Sequence, residues 1–499
     1  MSARKKASSG VSPLSPEVGC VAPNAPWPVV RLGDFATKIG SGSTPRGGEA
    51  VYKESGVPFI RSMNVHFGGF KTDGLVYIDA TEAERLANVS VEADDVLLNI
   101  TGASIGRVTT APREFAGSRV NQHVCIIRPK AEIFGRFLAY FFASPEQQAR
   151  VMTVQVGATR QALTKSVIEN WQIPVPPLPE QRRIVAEIET QWAKLDAGVA
   201  ALKRVQANLK RYRAAVLKAA CEGKLVPTEA ELAAKNAKST KTKSRALSAS
   251  SALSAVQSPE FETGEQLLQR ILTERRKSWT GRGKYKEPVI PDTSNLPPLP
   301  EGWAWASMRQ VAEVQLGRQR APQHHTGDNM RPYLRVANVF EAFIDTSDVK
   351  TMNFTPVEFE RYRLRRGDIL LNEGQTPELV GRPAMFRDEV ADCCYQKTLL
   401  RFRAYNGLLP EFALTVFRSY MHNRRFTRAA SITTNIAHLT AEKFVEIEFP
   451  LPPLAEQTRI VAEVERRLSV IDELETLVAT NLARATRLRQ AVLKQAFPI

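Results

Sequence analysis

Apolar residues recur at every seventh position in two stretches of the chain. They are Ile188, Leu195, Leu202, Leu209 and Val216 in the first stretch, and Val464, Ile471, Val478, Ala485 and Val492 in the second. A seven-residue apolar period is typical of the seam between packed helices. The pattern therefore predicts two long helices, each of which buries one stripe against a partner.

These two helices belong to a tandem duplication. Residues 173–218 match residues 449–494 without a gap, at an offset of 276 (456 − 180), and both copies carry EQ, IVAE and AVLK after a proline-rich approach. Because proline disfavours helix in the residue before it, the first helix is expected to begin around Pro179 or Glu180. About forty residues would make a rod of roughly 60 Å. A buried core helix is the alternative, but length and duplication favour a coiled coil between the copies.

A globular α/β segment precedes each helix. In the first globular segment (27–178), β-branched and apolar runs predict strands at 57–65, 74–79, 94–100 and 123–128. Apolar faces predict helices at 131–144 and 145–154.

The second globular segment (303–454) repeats anchors of the first. PFIRSMNV (58–65) matches PYLRVANV (332–339), DVLLNITG matches DILLNEG, and Gln122 is paired with Gln396. The loops between the anchors differ, most clearly GSGSTPRGGEA against GRQRAPQHHTG. The two segments are thus predicted to share a scaffold and to differ in their loops.

The remaining boundaries follow from composition. Residues 1–26 are rich in Ser, Pro and Ala and are predicted to be a disordered extension. Helical regions are predicted at 179–225 and 455–499, and a linker with one short helix (263–279) at 226–302. The stretch 226–260 is predicted to be flexible, either as a plain solvated linker or with contacts to nucleic-acid phosphates.

Charge and cysteine content narrow the class of protein. The formal net charge of +16 fits a polyanionic partner, although basic proteins without nucleic-acid partners are common. The five cysteines lack CxxC spacing, which argues for a reducing cytoplasm and against a zinc site. No apolar run is long enough to span a membrane, and the basic start lacks a secretory signal's apolar core. A cytoplasmic location is predicted.

Several motifs of catalysis are missing from the sequence. There is no GxxxxGK[ST], no NPPY, NPPF or DPPY, and no HExxH. His324 and His325 are adjacent in a loop, and adjacency alone does not favour a catalytic role for them. The glycine-rich run at 40–48 fits either a plain turn or a contact with DNA phosphate. The sequence therefore predicts a recognition protein in which each segment reads its own short DNA sequence.

Three motifs resemble a known family. PLPEQRRIVAEIE (177–189), PPLAEQTRIVAEVE (452–465) and LPPLPEGWAWA (296–306) are similar to conserved regions of type I restriction–modification specificity subunits. The resemblance, which spans about Trp27 to Phe497, implies an α/β fold class. Two tandem target-recognition domains would be separated and joined by two long helices, which form an antiparallel coiled coil with a pseudo-twofold axis.

The resemblance also implies partners. The chain would bind double-stranded DNA at a bipartite site, two methyltransferase subunits and the motor–nuclease subunits, and would have no catalytic centre of its own. S-adenosylmethionine, ATP and Mg would be used by the partner subunits, with no cofactor or metal bound by this chain. The implied activity is to direct adenine methylation and cleavage by those subunits.

Candidate site residues fall into two groups. The DNA-binding candidates are Ser43, Thr44, Arg46, Arg61, Asn64, Thr101, Asn121, Gln122, Arg160 and Gln161 in the first segment, and Arg318, Gln319, Arg320, Gln323, Arg335, Asn338, Gln375, Gln396, Thr434 and Asn435 in the second. Candidates shared by both segments fit phosphate contact or scaffold better than base reading. The candidates for the methyltransferase interface are Glu180, Gln181, Ile184, Glu456, Gln457 and Ile460, for which helix capping is the alternative.

Three other functions compete with this interpretation. The chain could serve a methylation-only system, could be a coiled-coil scaffold that binds no DNA, or could be an enzyme with an unrecognised active site. Activity of the isolated chain with S-adenosylmethionine and Mg²⁺ would distinguish the last of these.

Overall fold

The computed structural model describes residues 27–156, 162–244, 261–281 and 283–498. They form two compact units: one combines the chain up to Lys203 with Ala479 onward, and the other spans Arg204–Val478. Both long helices therefore contribute to both units. The predicted extension at 1–26 and the 245–260 part of the predicted linker lie outside the described residues.

The first unit is built on the first globular segment. Its strands are β1 Val29–Arg31, β2 Ala36–Ser41, β3 Val57–Ile60, β4 Val65–His66, β5 Gly69–Phe70, β6 Val76–Ile78, β7 Val96–Asn99, β8 Val108–Thr110, β9 Arg119–Val120, β10 Val124–Pro129 and β11 Gln172–Pro174. Its helices are α1 Ala80–Arg85, α2 Gly135–Ala143, α3 Pro145–Val156, α4 Lys165–Glu169 and the first part of α5 Leu178–Cys221. The main sheet is antiparallel in the order β2–β10–β7–β8, and a second has the order β6–β3–β9. Every predicted strand and helix of this segment is present, with the strands at 57–65, 74–79 and 94–100 shorter than predicted.

The second unit contains the second globular segment. Its strands are β12 Ala304–Ser307, β13 Ala312–Leu316, β14 Met330–Leu334, β15 Val339–Phe340, β16 Phe343–Ile344, β17 Lys350–Asn353, β18 Ile369–Asn372, β19 Gly374–Gln375, β20 Pro383–Met385, β21 Cys394–Tyr395, β22 Leu399–Ala404, β23 Ser431–Thr433, β24 Ile436–His438 and β25 Glu448–Leu451. Its helices are α6 Glu229–Ser244, α7 Gly264–Lys277, α8 Met308–Val311, α9 Pro356–Tyr362, α10 Pro410–His422, α11 Arg425–Ala429, α12 Ala441–Glu446 and the first part of α13 Leu454–Ala496.

The two segments have the same sheet topology. The order β13–β22–β18–β20 repeats that of β2–β10–β7–β8, and β17–β14–β21 repeats β6–β3–β9. The second segment also has a small sheet of order β19–β24–β23, and in the described part of the first segment the bridge of Thr101 with Ala162 lies at the same place. The α/β fold class, with two duplicated segments each followed by a long helix, is confirmed.

A buried ion pair is repeated in the two cores. Asp95 precedes β7 and is 1% exposed, and the Arg128 guanidinium donates to it from β10 at 2.8 Å. Asp368 and Arg403 make the same pair in the second segment at 2.7 Å. Because a buried carboxylate is costly without a hydrogen-bonded cation, both partners had to be retained when the loops diverged.

The long helices run antiparallel within each unit. In the first unit, Ile184 packs in the same cluster as Phe497, while Asp196, farther along α5, pairs with Arg489, which lies earlier in α13. In the second unit, the Arg213 guanidinium pairs with Asp472 at 2.5 Å. The Arg459 guanidinium reaches the carbonyl of residue 227, beyond the end of α5, at 3.2 Å.

All ten predicted seam residues are buried or half-buried. Leu474 and Leu488 of α13 lie off the seam and are 41% and 39% exposed, so the apolar face of α13 extends beyond what the seam covers. No helix among the described residues is both long and apolar enough to cross a membrane.

The linker is more ordered than its composition suggested. Residues 229–244, predicted to be flexible, form helix α6. Thr228 and Glu231 cap its first turn reciprocally, each N–H donating to the other side chain at 3.1 Å. The signal T-x-x-E before an alanine-rich run was therefore present in the sequence and outweighs the lysines that follow.

Candidate nucleic-acid interface

Two asparagines predicted to contact DNA instead hold a turn. Asn64 is fully buried, and its side chain accepts the Arg61 N–H at 2.9 Å and donates to two carbonyls of the following loop. Asn338, 2% exposed, repeats these bonds with the Arg335 N–H at 3.1 Å. Because the oxygen and both amide hydrogens are engaged internally, the DNA-binding role predicted for Asn64 and Asn338 is corrected to a structural one.

The two neighbouring arginines also have internal partners. Arg61 donates to the Gly74 carbonyl at 2.7 Å and stacks over Tyr52 at 5.4 Å from the ring centre. Arg335 pairs with the Asp348 carboxylate. These contacts favour the scaffold interpretation for the arginines that both segments share.

A close crossing of two loops fixes the correspondence between the segments. A Cβ on Gly42 would lie 2.5 Å from the Asn121 carbonyl oxygen, and a Cβ on Gly317 would lie 2.4 Å from that of Gln396. The Asn121 and Gln396 N–H groups donate to the ends of β3 and β14 at 3.0 and 2.9 Å. The residue equivalent to Gln396 is therefore Asn121, and the predicted pairing of Gln122 with Gln396 is wrong by one position.

Arg318 serves as a strut in the second segment. Its guanidinium donates to Glu358 at 2.9 Å, bonds the Asn353 carbonyl and stacks on Phe354, and its side chain is 9% exposed. The prediction that Arg318 contacts DNA is corrected, because its donors already have partners. Ser43 takes the same backbone position in the first segment, with its N–H bonded across the crossing, and is exposed.

The other candidates of the first segment lie in two loops. Ser43, Thr44 and Arg46 are exposed after β2, and Gln122 is exposed beside the crossing. Thr101 is half-buried, with its hydroxyl 2.5 Å from His123 Nδ1. Asn121 is 7% exposed, and its side chain accepts the His123 backbone N–H. The prediction that Asn121 contacts DNA is therefore corrected, because its side chain is buried. Arg160 and Gln161 lie outside the described residues.

The other candidates of the second segment also lie in two places. Gln319, Arg320 and Gln323 are exposed after β13, and the Arg320 guanidinium donates to His325 at 3.1 Å. Gln375 and Gln396 are half-buried. Thr434 and Asn435 form the exposed turn of the hairpin β23–β24, and Gln375 is paired with the same hairpin through β19. The structure thus brings Gln375, Thr434 and Asn435 onto one small sheet.

The predicted methyltransferase interface is buried within the chain. Gln181, Glu456, Gln457 and Ile460 are 0% exposed, and Ile184 is 7% exposed. Glu180 alone is partly exposed, in an ion pair with Arg183 at 2.7 Å. The prediction that these six residues dock a partner is therefore corrected, because five of them have no surface to offer.

The two glutamines join each globular segment to its long helix. The Gln181 side chain accepts the Phe134 N–H at 2.7 Å and donates to two carbonyls at 2.9 and 2.8 Å. The Gln457 side chain makes the same three bonds with the Leu409 N–H at 2.9 Å and two carbonyls at 3.2 and 3.0 Å. Each glutamine thereby caps the start of α2 or α10 and fixes the entry angle of its rod.

Glu456 joins a third element to the second unit. Its carboxylate accepts the Trp303 indole N–H at 2.9 Å and the Glu229 N–H, at the start of α6, at 3.1 Å. Burial raises the pKa of Glu456 above its ordinary value, against the effect of these donors. At Glu180, by contrast, the hydrogen bond from Arg183 lowers the pKa.

An exposed apolar stripe lies on the second unit's part of the coiled coil. Val470, Leu474 and Leu477 of α13 are 48%, 41% and 57% exposed and are spaced to share one face. Tyr212 of α5 is 48% exposed and interacts with Arg467, which lies on the same face as Val470. We call these four apolar residues the apolar stripe. Its signal in the sequence was apolar residues outside the heptad positions.

The potential metal ligands of the described residues do not cluster. No group of three or more His, Cys, Asp or Glu side chains that could hold a metal is found among them. The four described cysteines are buried thiols, and burial raises the pKa of Cys125 to about 12.

Comparisons with known proteins agree with the duplicated design. A family model, the type I restriction modification DNA specificity domain, matches residues 24–197 and 300–480. The chain is similar to the type I restriction enzyme EcoKI specificity subunit of Escherichia coli K12, at 23% identity over 94% of this chain and 88% of that protein. It is also similar to the StySPI specificity subunit of Salmonella potsdam, at 23% identity over 88% and 81%.

A solved structure shares the fold. It comes from work on complex assembly and conformational transition of the type I R-M system, and the match has a TM-score of 0.58 at 20% identity over 94% of this chain and 97% of the other.

Proposed function

The chain belongs to the type I restriction modification DNA specificity family, and we propose that it selects the DNA sequence on which a restriction–modification complex acts. In this proposal each globular segment reads one half of a bipartite site in double-stranded DNA. The observation that carries it is a shared scaffold with divergent exposed loops, since a common scaffold can be kept while exposed residues change.

The chemistry is assigned to partner subunits. We propose that the chain has no catalytic centre and that methyltransferase subunits, two in number, methylate adenine with S-adenosylmethionine. Motor–nuclease subunits would use ATP and Mg for translocation and cleavage. A methylation-only system is the second candidate, and the divergent loops support both equally.

Single-molecule sequencing of adenine methylation tests the reading function. Cells would express this chain with its methyltransferase partner, and we expect a split motif: two short specified blocks around a gap of fixed length. Exchanging residues 303–448 for those of another such subunit should change one block and leave the other unchanged. A continuous motif would contradict two separate reading segments, and methyl transfer or cleavage by the isolated chain would contradict a non-catalytic subunit.

The apolar stripe is the proposed docking surface for a methyltransferase subunit. Its residues are large, apolar and exposed, as expected of a surface that a second protein covers. A charge on it should therefore weaken association, because the carboxylate would lose its water in the complex.

The stripe can be tested with a matched pair of variants. Leu474→Asp should reduce co-purification of the methyltransferase at least ten-fold. Ser469→Asp should not reduce it. Ser469 is exposed on the same helix, and its place five residues before Leu474 puts it roughly 140° away around the helix axis. Equal retention of the partner by both variants would refute docking at the stripe and leave DNA reading untouched.

A further inference from the structure

The hairpin of the second globular segment carries two exposed isoleucines. Residues 431–436 are all exposed, and we call them the exposed ribbon. Within it Ile432 and Ile436 are 54% and 49% exposed. Exposure of large apolar side chains to water is unfavourable, so two of them on one short hairpin indicate a surface that binds a partner outside the described residues.

The base of the ribbon is rigid. Ala437 and Leu439 are 0% exposed, and the Leu439 N–H donates to the Glu373 carbonyl at 2.8 Å. Lys443 donates to the Ser431 hydroxyl at 2.7 Å and places a cation beside the ribbon. A buried, hydrogen-bonded base beneath exposed side chains suits a contact that must be positioned against a partner of fixed shape.

The turn of the ribbon is strained. Thr434 has a φ of 54°, a left-handed conformation that β-branched residues rarely adopt, and Asn435 follows it at the tip. Such strain is found where position matters more than stability, as at ligand contacts.

Strand register separates the two isoleucines. Ile432 lies opposite Ala437, which is fully buried, so its face of the ribbon is covered at the base although Ile432 itself is exposed. Ile436 lies opposite Thr433 on the other face, which continues to His438, whose side chain is 44% exposed. Ile436 is therefore the isoleucine on the face that is not closed by a buried residue at the base, and it lies next to Asn435.

The first copy has a different residue at this position. The pairs Thr101 with Ala162 and Gly374 with His438 occupy the same place in the two segments, which aligns Ala162 with His438. Counting back two residues matches Ile436 with Arg160 in the sequence. An arginine suits guanine in the major groove, whereas an apolar side chain suits the thymine methyl group, so a change of this kind alters which base is read.

We propose that the exposed ribbon enters the major groove and reads an A·T pair, with Ile436 against the thymine methyl group and Asn435 on adenine. The proposal rests on the DNA-reading function and names the chemistry of one contact. The major groove is wide enough for a two-stranded ribbon, and it is the groove in which thymine displays its methyl group. Lys443 would contact a neighbouring phosphate.

Removing one methyl group tests the contact. DNA duplexes would carry the motif that methylation sequencing identifies, with each thymine of the half-site replaced in turn by deoxyuridine. Their binding to the full chain in complex with its methyltransferase would be measured. One replacement should weaken binding by the wild-type chain about four-fold, the effect of one buried methyl group. The Ile436→Ala chain should be indifferent to that replacement, while Ile432→Ala, the matched control on the other face, should keep the full effect.

A second measurement works in cells. Ile436→Arg introduces the residue type that the first copy has at this position, and methylation sequencing should show a shift from A·T toward G·C at one position of one half-site. The other half-site should be unchanged.

Three results would overturn the proposal. The deoxyuridine effect could persist in Ile436→Ala, or no thymine could matter, and in either case the wild-type split motif would leave the general reading function standing. Loss of the methyltransferase from the Ile436→Ala chain but not from Ile432→Ala would make the ribbon a protein contact. Absence of any motif with the wild-type chain would instead refute the reading function itself.

Discussion

Glu180 and Glu456 occupy the same position in the two copies of the repeat and have opposite surroundings. Glu456 is fully buried between Trp303 and the start of α6, and its pKa is raised by burial. Glu180 lies partly exposed beside Arg183, which lowers its pKa. The adjacent glutamines, Gln181 and Gln457, are by contrast buried in identical sets of hydrogen bonds.

The difference separates two roles within one motif. The glutamine is needed wherever a globular segment meets its rod, so duplication preserved its environment. The glutamate takes its role from a neighbouring element, and in the second unit that element is the linker helix α6. Equal residues in a repeat therefore need not have equal effects.

The largest expected effect falls on the glutamines. Gln457→Ala would leave one N–H and two carbonyls without partners in a dry site, so we expect a loss of about 3 kcal/mol or more in the unfolding free energy of the second unit. Gln181→Ala should cost the first unit a similar amount. Hydrogen exchange at the Leu409 and Phe134 amides measures each loss, with exposed Gln172→Ala as the control. A large loss in one copy and none in the other would break the proposed equivalence.

The glutamates should differ where the glutamines agree. Glu456→Ala leaves the Trp303 and Glu229 N–H groups unpaired and should cost about 2 kcal/mol of unfolding free energy. Glu180→Ala removes a surface ion pair, and after allowance for solvent screening it should cost less than about 0.5 kcal/mol. Urea denaturation of both variants gives the comparison, and equal losses would show that α6 adds nothing at Glu456.

The smallest expected effect is on the pH dependence of stability: the contributions of Glu456 and Glu180 to the unfolding free energy should change in opposite directions as pH falls. Because the pKa of Glu456 is raised in the folded chain, the folded state holds the proton more tightly, and stability rises as pH falls from 7 toward the ordinary value of 4.5. The pKa of Glu180 is lowered, so its small contribution is present at pH 7 and is lost as pH falls below 4.5. Unfolding free energies of wild type minus Glu456→Gln, and of wild type minus Glu180→Gln, isolate the two groups between pH 7 and 4. Slopes of the same sign would contradict the assigned surroundings.

Patterns that repeat along the chain predicted the fold well. The heptads predicted the seam, because apolar periodicity reports directly which face is buried, and the matched anchors predicted that the two segments share a scaffold. The T-x-x-E signal of α6 was overlooked because the lysines after it suggested a solvated linker.

Polar site residues were predicted less well, for a physical reason. Gln181 and Gln457 bond backbone carbonyls 49 and 50 residues earlier in the chain. Asn64 and Asn338 bond carbonyls of the loop that follows each of them. A sequence does not show where these backbone groups lie in space. An Asn or Gln in a sequence does not reveal whether its side-chain amide is buried within the fold or exposed and able to contact a base. The sequence matched Gln122 to Gln396 because both are glutamine, whereas the strand registers of the two segments make Asn121 the equivalent of Gln396.

The composition of the first unit has a consequence for synthesis of the chain. Phe137 and Phe141 pack against Phe497 at 5.3 and 5.6 Å between ring centres, and the unit includes residues from Ala479 onward. A ribosome adding roughly 5–20 residues per second needs on the order of 15 to 55 seconds to go from the first part of this unit to the second. Throughout that interval the aromatic face of α2 is on the nascent chain without Phe497, which has not yet been synthesised. The second unit, which ends at Val478, is therefore synthesised in full before the first unit is.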